Sequence, residues 1–558
     1  MKVAELVVNC LVECGVKHIF GLSGHTTLEL LDAIYNEKRC RFVSVRHEQV
    51  AACAADGYAR ASGRHGVCLA HVGPGNANMV IGIATALRDS SPVLALTCNE
   101  DFENLGRDVF QEWDQLSVFK PITKWSAQIR HPAEASRIMR MAMLRCVLGR
   151  PGPVQVDLPL DVMSLEVNER HIEKTPRYDL YSSRVRPDPE LLKVVSNMLL
   201  EAERPLILAG GGTIWSNASE ELIRLAEALY IPVAVTHTGR GVIPDTHPLF
   251  IGILGRWGHV AAIDACKSSD LILAIGCRLA DINTMRWSVI SSDAKIIQAD
   301  IDPNELGRQY PIEVGIVSDA KMFCRDLLEA VGKLSIKGAA DRAQRVKMIR
   351  DQMSVELDRF FHERSDGKPI KPQRIIKEIN QVLNGNYIVT VGAGKHAEYA
   401  NKVLVKEPRS YLKSVGFGSM GWAYPAALGA KLARPDKTVI SLVGDGDFAM
   451  TMQDVETAVR EDIPVVAVVF NDSCFSSIKR FQADFYGKRF IGVDYRETDF
   501  AGMAEIFGAD GYRVKESEEI GTSLRRAVKS SRAAVLDVVI DPYEYPPVSW
   551  GIIGVKKG

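Results

Sequence analysis

Apolar positions along the chain follow two alternating rhythms. Short apolar runs predict buried strands at Leu69 to Val72, Pro92 to Thr97, Val154 to Pro159, Leu206 to Ala209, Ile388 to Val391, Thr438 to Val443 and Val465 to Phe470. Between them lie stretches with helical spacing, from Met1 to Leu6 at the start to Met452 to Glu461 near the end. Strands alternating with amphipathic helices from end to end predict the α/β class, with doubly wound parallel sheets covered by helices on both faces. Two breaks interrupt the rhythm. Asn168 to Pro187 is polar and has no apolar period, and Gly338 to Pro372 is strongly charged and predicts a helical linker with a solvated face. The breaks divide the chain into three units, 1–165, 186–335 and 370–558. The first and third share a strand-turn-helix rhythm, which by itself does not establish a duplication. Ligands of open parallel sheets sit at the carboxyl ends of strands, so the loops after the predicted strands are where chemistry is expected.

Composition narrows the class. The 558 residues are 46% hydrophobic and 25% charged, which excludes a disordered, collagen-like or rod-like chain. Sixty-eight basic residues against sixty-nine acidic ones leave a net charge of −1, so nothing favours nucleic acid or an anionic membrane as partner. No apolar run reaches the roughly 18 residues needed to span a bilayer. The start carries an acid at Glu5 and predicts a first helix, not a signal peptide. Eleven cysteines without a CxxC pair point to reduced thiols in a cytoplasmic enzyme and away from structural zinc.

The densest chemistry lies in the third unit. The strand Thr438 to Val443 runs into Gly444-Asp445-Gly446-Asp447-Phe448, and the next strand ends at Asn471-Asp472. Asp445 and Asn471 would offer two oxygens to a hard cation, and a backbone carbonyl near Ser473 a third. Diphosphate oxygens would fill most of an octahedral Mg²⁺ shell. Gly444 and Gly446 let the backbone close around an anion at a helix start. Gly-Asp-Gly alone is ordinary turn chemistry.

The longer pattern, Gly444-Asp445-Gly446, a helix and Asn471 after an apolar strand, resembles the thiamine diphosphate motif. Other stretches, in order over about the whole chain, resemble the acetolactate synthase-like branch of that superfamily. They are Arg46 to Gln49 with Ala54 to Arg60, Gly73-Pro74-Gly75-Asn76, Phe110 to Gln115, Gly239 to Pro244, Asp300 to Pro303 and Gly418 to Ala427. The resemblance implies a pyrimidine-binding first domain, a central Rossmann-like domain and a diphosphate-binding third domain, with thiamine diphosphate and Mg²⁺ bound. Glu48 takes the place of the carboxyl that partners the aminopyrimidine nitrogen, where it could shuttle a proton; a surface glutamate at a helix start is the bland alternative. Met420 takes the place of the apolar wedge under the bent cofactor, or else plain core packing. Gly394, Lys395 and His396 match a diphosphate-contacting loop, although acetolactate synthases usually carry glutamine where Lys395 stands. Gly73, Asn76, Gly418, Gly444, Gly446, Asp447, Phe448 and Ser473 complete the implied cofactor contacts, and Asp445, Asn471 and Ser473 the metal set. Such enzymes form the site between subunits, which implies a homodimer or homotetramer.

The departures bear on the substrate. His25 stands where acetolactate synthases usually have a small residue, and His71 where they have a hydroxyl residue; His71 matches a catalytic histidine of benzoylformate decarboxylase. A histidine pair there could relay protons near neutral pH, whereas either alone would be read as bonded to loop backbone. Gln111 matches a family glutamine that reaches the substrate. Ser477 and Phe481 replace a methionine and an acceptor-selecting tryptophan. Lys479 and Arg480 could attract an acidic substrate or simply face solvent. In the central unit Gly210-Gly211-Gly212 is not GxGxxG, and FAD, ADP or no ligand stay open there. Gly255-Arg256-Trp257-Gly258 either lines that nucleotide or is a plain loop. The expected activity is decarboxylation of a 2-oxo acid, with release of an aldehyde or transfer to a second carbonyl. Acetolactate synthase proper, hydrolytic cleavage of a diketone and a non-catalytic regulatory subunit are the alternatives. Glu48, Asp445 and Asn471 together argue against the last.

Overall fold

The computed structural model describes residues 1–174, 184–332, 338–363 and 365–545. The polar stretch from Asn168 to Pro187 and the end of the third unit are therefore described only in part. Among the described residues, eighteen strands form three six-stranded sheets in which neighbouring strands run parallel. The first holds β1 (His18–Gly21), β2 (Arg41–Ser44), β3 (Gly66–Ala70), β4 (Val93–Asn99), β5 (Trp125–Gln128) and β6 (Val154–Pro159), in the order β2-β1-β3-β4-β6-β5. The second holds β7 (Pro205–Ala209), β8 (Val233–Val235), β9 (Phe250–Ile253), β10 (Leu271–Ile275), β11 (Lys295–Asp300) and β12 (Val314–Val317), in the order β12-β11-β10-β7-β8-β9. The third holds β13 (Ile388–Val391), β14 (Tyr411–Lys413), β15 (Val439–Gly444), β16 (Val466–Asn471), β17 (Asp510–Val514) and β18 (Ala534–Val539), in the order β14-β13-β15-β16-β18-β17. The central strands of each sheet are apolar and buried along their whole length, because helices cover both faces.

The first and third sheets repeat one strand order, which the sequence rhythm alone left open. They also share a core. Helix Glu48–Ser62 lies against helix Ala423–Ala433, and alanines from both fill one apolar cluster. A Cβ on Gly57 would stand 2.2 Å from the Ala426 carbonyl oxygen, and one on Gly429 would stand 1.9 Å from that of Ala54, so the two backbones touch. A buried polar knot closes the junction. The Asp56 carboxylate accepts from Arg60 at 2.7 Å and from the Trp422 indole at 2.8 Å, and Asp89 accepts from Arg60 at 3.1 Å and from the Gly416 amide at 2.7 Å. The stretches Ala54 to Arg60 and Gly421 to Ala427 are thus chiefly the joint between two sheets.

The charged stretch after Gly338 corrects the linker reading. Helix Ala339–Asp358 packs Val346, Ile349 and Met353 into the core of the central unit. Its Arg342 is buried and donates to the carbonyls of Leu199, Ala202 and Leu229, the open ends of two helices. Charge in this segment satisfies backbone as well as meeting water. All eleven cysteines are free and buried, and no described helix is long and apolar enough to cross a membrane.

Candidate active site

In the third sheet β15 and β16 are neighbours with Gly444 opposite Phe470, which sets Asp445 beside Asn471 at the strand ends. The Asp445 carboxylate is buried and accepts from the amides of Gly446 at 2.7 Å, Asp472 at 3.1 Å and Ser473 at 2.6 Å. Asn471 spends both N–H groups on Thr498 and Asp537, each at 2.9 Å, which leaves its carbonyl oxygen as an acceptor. Ser473 follows in the left-handed region at φ 54°. Burial, and then the charge of Asp472, push the Asp445 carboxyl up to about 6. A bound dication would reverse that push. No three His, Cys, Asp or Glu side chains gather into a metal site among the described residues. A cation here would therefore take carboxylate, amide, main-chain and ligand oxygens, the donor set that suits Mg²⁺.

The cleft beside this cradle is walled by Gly394, Lys395, His396, Gly418, Met420, Gly444, Asp445, Gly446 and Asp447. Lys395 forms a buried ion pair with Asp472 at 2.7 Å, tying the loop after β13 to the loop after β16. His396 Nε2 and Asp447 Oδ2 stand 3.7 Å apart, buried, and neither has a hydrogen-bond partner. Burial holds His396 down to about 3 and Asp447 up to about 7. Two unsatisfied polar atoms facing a cleft suit a polar ligand. Phe448 corrects the expectation: its side chain is packed against Tyr424 and Phe500 in the core and does not reach the cleft.

In the first sheet the segments after β1, β2, β3 and β4 bring the expected catalytic residues His25, Glu48, His71 and Gln111 together. The His47 side chain accepts from the Gln49 amide at 3.1 Å and so starts helix Glu48–Ser62 with Glu48 as its first residue. Glu48 is buried, and its Oε2 accepts from Asn78 at 2.9 Å. A Cβ on Gly75 would lie 3.1 Å from Glu48 Oε1 and 2.8 Å from the His71 ring, so only glycine lets these groups converge. The His71 ring meets that of His25 edge-on at 5.7 Å, and His25 Nε2 is 2.8 Å from Glu100 Oε1. His71 Nδ1 and Gln111 Oε1 are buried without partners. Burial, and then His25, lower the His71 pKa below the ordinary histidine value. The Gln111 backbone lies against Gly73, which caps helix Pro74–Arg88. Asn76 is fully buried and donates to the Cys98 carbonyl at 2.9 Å and to Gln115 at 2.7 Å, inside the sheet's polar interior. Sequence reasoning missed Glu100 and Asn78. Glu100 was within reach, as the first carboxylate beyond the strand predicted at Pro92 to Thr97.

The two groups of residues stand apart within one chain: every residue walling the cradle's cleft comes from 393–540. In the central unit a crevice lies where the strand order reverses between β7 and β10, walled by Gly210 to Gly212, Gly276 and Asp300. Arg256 and Trp257 are not part of it. They line a second chamber, next to the cradle, together with Ser477, Arg480 and Phe481. Lys479 points elsewhere, to Asp494 at 2.6 Å.

An all-oxygen cradle at the end of one parallel sheet, and a buried glutamate beside two histidines at the end of a sheet with the same strand order, define the thiamine diphosphate class of enzyme. Residues 1–118 match the thiamine pyrophosphate enzyme N-terminal TPP binding domain, residues 192–327 its central domain and residues 392–538 its C-terminal TPP binding domain. The chain is 42% identical to a probable acetolactate synthase large subunit of Methanocaldococcus jannaschii, over 98% of this chain and 93% of the relative. It is 35% identical to the acetolactate synthase large subunit of Corynebacterium glutamicum, over 99% of this chain and 89% of the relative. The chain belongs to the thiamine pyrophosphate enzyme family.

Proposed function

We propose that this protein is a homo-oligomeric carbon–carbon lyase or carboligase dependent on thiamine diphosphate and Mg²⁺. It decarboxylates a 2-oxo acid and either releases an aldehyde or passes the acyl unit to a second carbonyl. The observation that carries the reading is the convergence of Glu48, His71 and His25 in a chain that also holds the Asp445–Asn471 cradle. Asp445, Asn471 and a main-chain oxygen near Ser473 would hold Mg²⁺ and through it the diphosphate. His396 and Asp447 offer polar atoms along the same cleft, and Met420 an apolar wedge. When bound, thiamine diphosphate supplies the nucleophilic carbon that adds to the substrate carbonyl.

The chain's own groups manage protons. Asn78 occupies Glu48 Oε2, which leaves Oε1 to hold a proton at the pyrimidine nitrogen. Glu100 accepts the proton of His25 Nε2 and so orients that ring. The His71 ring, its pKa lowered by burial and by His25, could take or give a proton at the reacting carbon. Because the two halves stand apart in one chain, two copies are needed, the first sheet of one facing the third sheet of the other. The central crevice extends the proposal to a nucleotide, FAD or ADP. Flavin absorbance of the purified protein separates the two, and neither in the purified protein removes this part.

The names of the relatives favour acetolactate synthase proper as a second reading. His25, His71, Ser477 and Phe481 favour a different substrate. The test is NMR of the protein with thiamine diphosphate, Mg²⁺ and a panel of 2-oxo acids and diketones, with carbon dioxide followed in parallel. Carbon dioxide with an aldehyde or a non-acetolactate acyloin supports the proposal. Acetolactate from pyruvate selects the second reading, and diketone cleavage without carbon dioxide overturns both.

A further inference from the structure

The chamber next to the cradle has a volume of about 300 Å³ and shares Gly394, Lys395, Gly418 and Ser477 with the cradle's wall. A molecule reacting at the mouth of the cradle would extend into it. Its walls mix aromatic side chains (Trp257, Phe481, Tyr545) with four cationic ones, Arg256, Lys395, Lys413 and Arg480, against the single carboxyl of Glu398. Lys395 is committed to Asp472 at 2.7 Å, and Arg480 also reaches Asp484 at 3.5 Å.

Lys413 is different. It lies at the end of β14, is 6% exposed and has three protons to donate. Its one hydrogen bond is to the Ala397 carbonyl at 3.5 Å, the outer limit of such a contact, and its Nζ stands 5.8 Å from the centre of the Trp257 ring. No carboxylate is in ion-pair contact with it among the described residues. A buried ammonium without an ion-pair partner is costly, and burial holds this one down to about 8. Glu398 lies on the same chamber wall and its charge opposes that lowering, but the two form no ion pair among the described residues. The Glu398 Oε2 is buried and has no hydrogen-bond partner, and burial pushes the carboxyl up to about 8. A carboxyl raised in this way can hold a proton and donate it to an anion. A monoanionic 2-oxo acid brings one charge, spent on the carboxylate it loses at the cofactor. Nothing would then remain to meet Lys413.

We infer that this chamber selects the substrate, and that the preferred 2-oxo acid carries a second anionic group at its far end, a carboxylate, sulfonate or phosphonate, which Lys413 binds between Arg256 and Arg480. The inference rests on the proposed 2-oxo acid chemistry and deepens it.

The test uses the full chain with thiamine diphosphate and Mg²⁺. A series of dicarboxylic 2-oxo acids of four to six carbons, with 3-phosphonopyruvate, is compared with monocarboxylic 2-oxo acids of matched length. Binding is read from Trp257 fluorescence, assigned with Trp257→Phe, and turnover from carbon dioxide. The best dianion is expected to bind about tenfold or more tighter than its monoanionic match. Lys413→Met is expected to cut that preference by about tenfold to a hundredfold, the range for a lost charge-assisted hydrogen bond. Lys413→Arg keeps the preference. Arg480→Gln lowers it too, and stands in if Lys413→Met does not fold. Equal binding of both series, or a preference that neither variant changes, overturns the inference. A dianion that binds through Lys413 with no carbon dioxide from any 2-oxo acid supports the pocket and overturns the proposed reaction. Turnover without a dianion preference does the reverse.

Discussion

Replacing Gly57 by alanine tests whether the first and third sheets form one rigid body. In an exposed helix interior this change is stabilising by about 1 kcal/mol, because glycine is a poor helix former. Here the added Cβ would stand 2.2 Å from the carbonyl oxygen, 2.5 Å from Cα and 2.6 Å from the carbonyl carbon of Ala426. All three are backbone atoms, so no rotamer change relieves the contact, and the helices must part by about 1 Å. Overpacking of this kind typically costs about 1–3 kcal/mol and occasionally more. Parting also strains the bond that Asp56, next to Gly57, accepts from Trp422 across the joint at 2.8 Å. We expect a net loss of about 2 kcal/mol. The assay is chemical and thermal denaturation, with the helical Gly502→Ala as control: the three atoms nearest that Cβ belong to the Asp499 side chain, at 3.3 Å or more, and stability should hold or rise by up to about 1 kcal/mol. A Gly57→Ala protein as stable as the parent would refute the reasoning, because the helices could then separate freely and the sheets would not share a core.

Three further outcomes are expected. Lys395→Met leaves Asp472 buried with no counter-charge at 2.7 Å, and the cofactor-free protein should lose about 3–5 kcal/mol in urea denaturation. Thiamine diphosphate with Mg²⁺ at a hundred times its dissociation constant should add about 2.7 kcal/mol, and a chelator should remove that gain; no shift in thermal unfolding would argue against the cradle. Asp447 is held up to about 7 against an ordinary 3.8, so between those values the folded state binds a proton that the unfolded state does not, and its contribution to stability rises as pH falls. Asp447→Asn removes that burial penalty, so the variant's advantage over the parent should be largest above pH 7 and shrink toward pH 4 in thermal melts of the cofactor-free protein.

Much of the fold was legible because a strand buried on both faces must be apolar along its length. The runs at Ile388 to Val391 and Val154 to Pro159 coincide with β13 and β6. What escaped was charge put to structural use. Arg342 reads as part of a solvated run, yet it caps three carbonyls under the surface, and no local pattern distinguishes a capping arginine from a solvated one. In the site, His25, Glu48, His71 and Gln111 follow predicted strands or belong to quoted motifs, and the fold brings them together. Phe448 belongs to the same motif as Asp445, but its backbone points the ring inward to Tyr424 and Phe500. Spacing along a motif does not tell which side of the strand end a side chain takes.

That distinction separates two roles within the family's recurring stretches. Ala54 to Arg60 and Gly421 to Ala427 join sheets of like strand order, so that the cradle and the Glu48 pocket hold fixed positions on one body. They carry no reactive group into either cleft apart from what they position. The residues that would choose a substrate lie outside or at the margins of these stretches. Glu398, in the short helix His396–Tyr399, and Lys413, at the end of β14, are fifteen residues apart, and single-sequence reasoning had no reason to pair them. They become neighbours only because β13 and β14 run side by side, with Val391 opposite Lys413. The scaffold and the cofactor cradle thus do not by themselves fix the acid or base content of the chamber beside them. In this chain that chamber holds a buried lysine and a half-buried glutamate, so the relatives' names bear on its chemistry more directly than on its substrate.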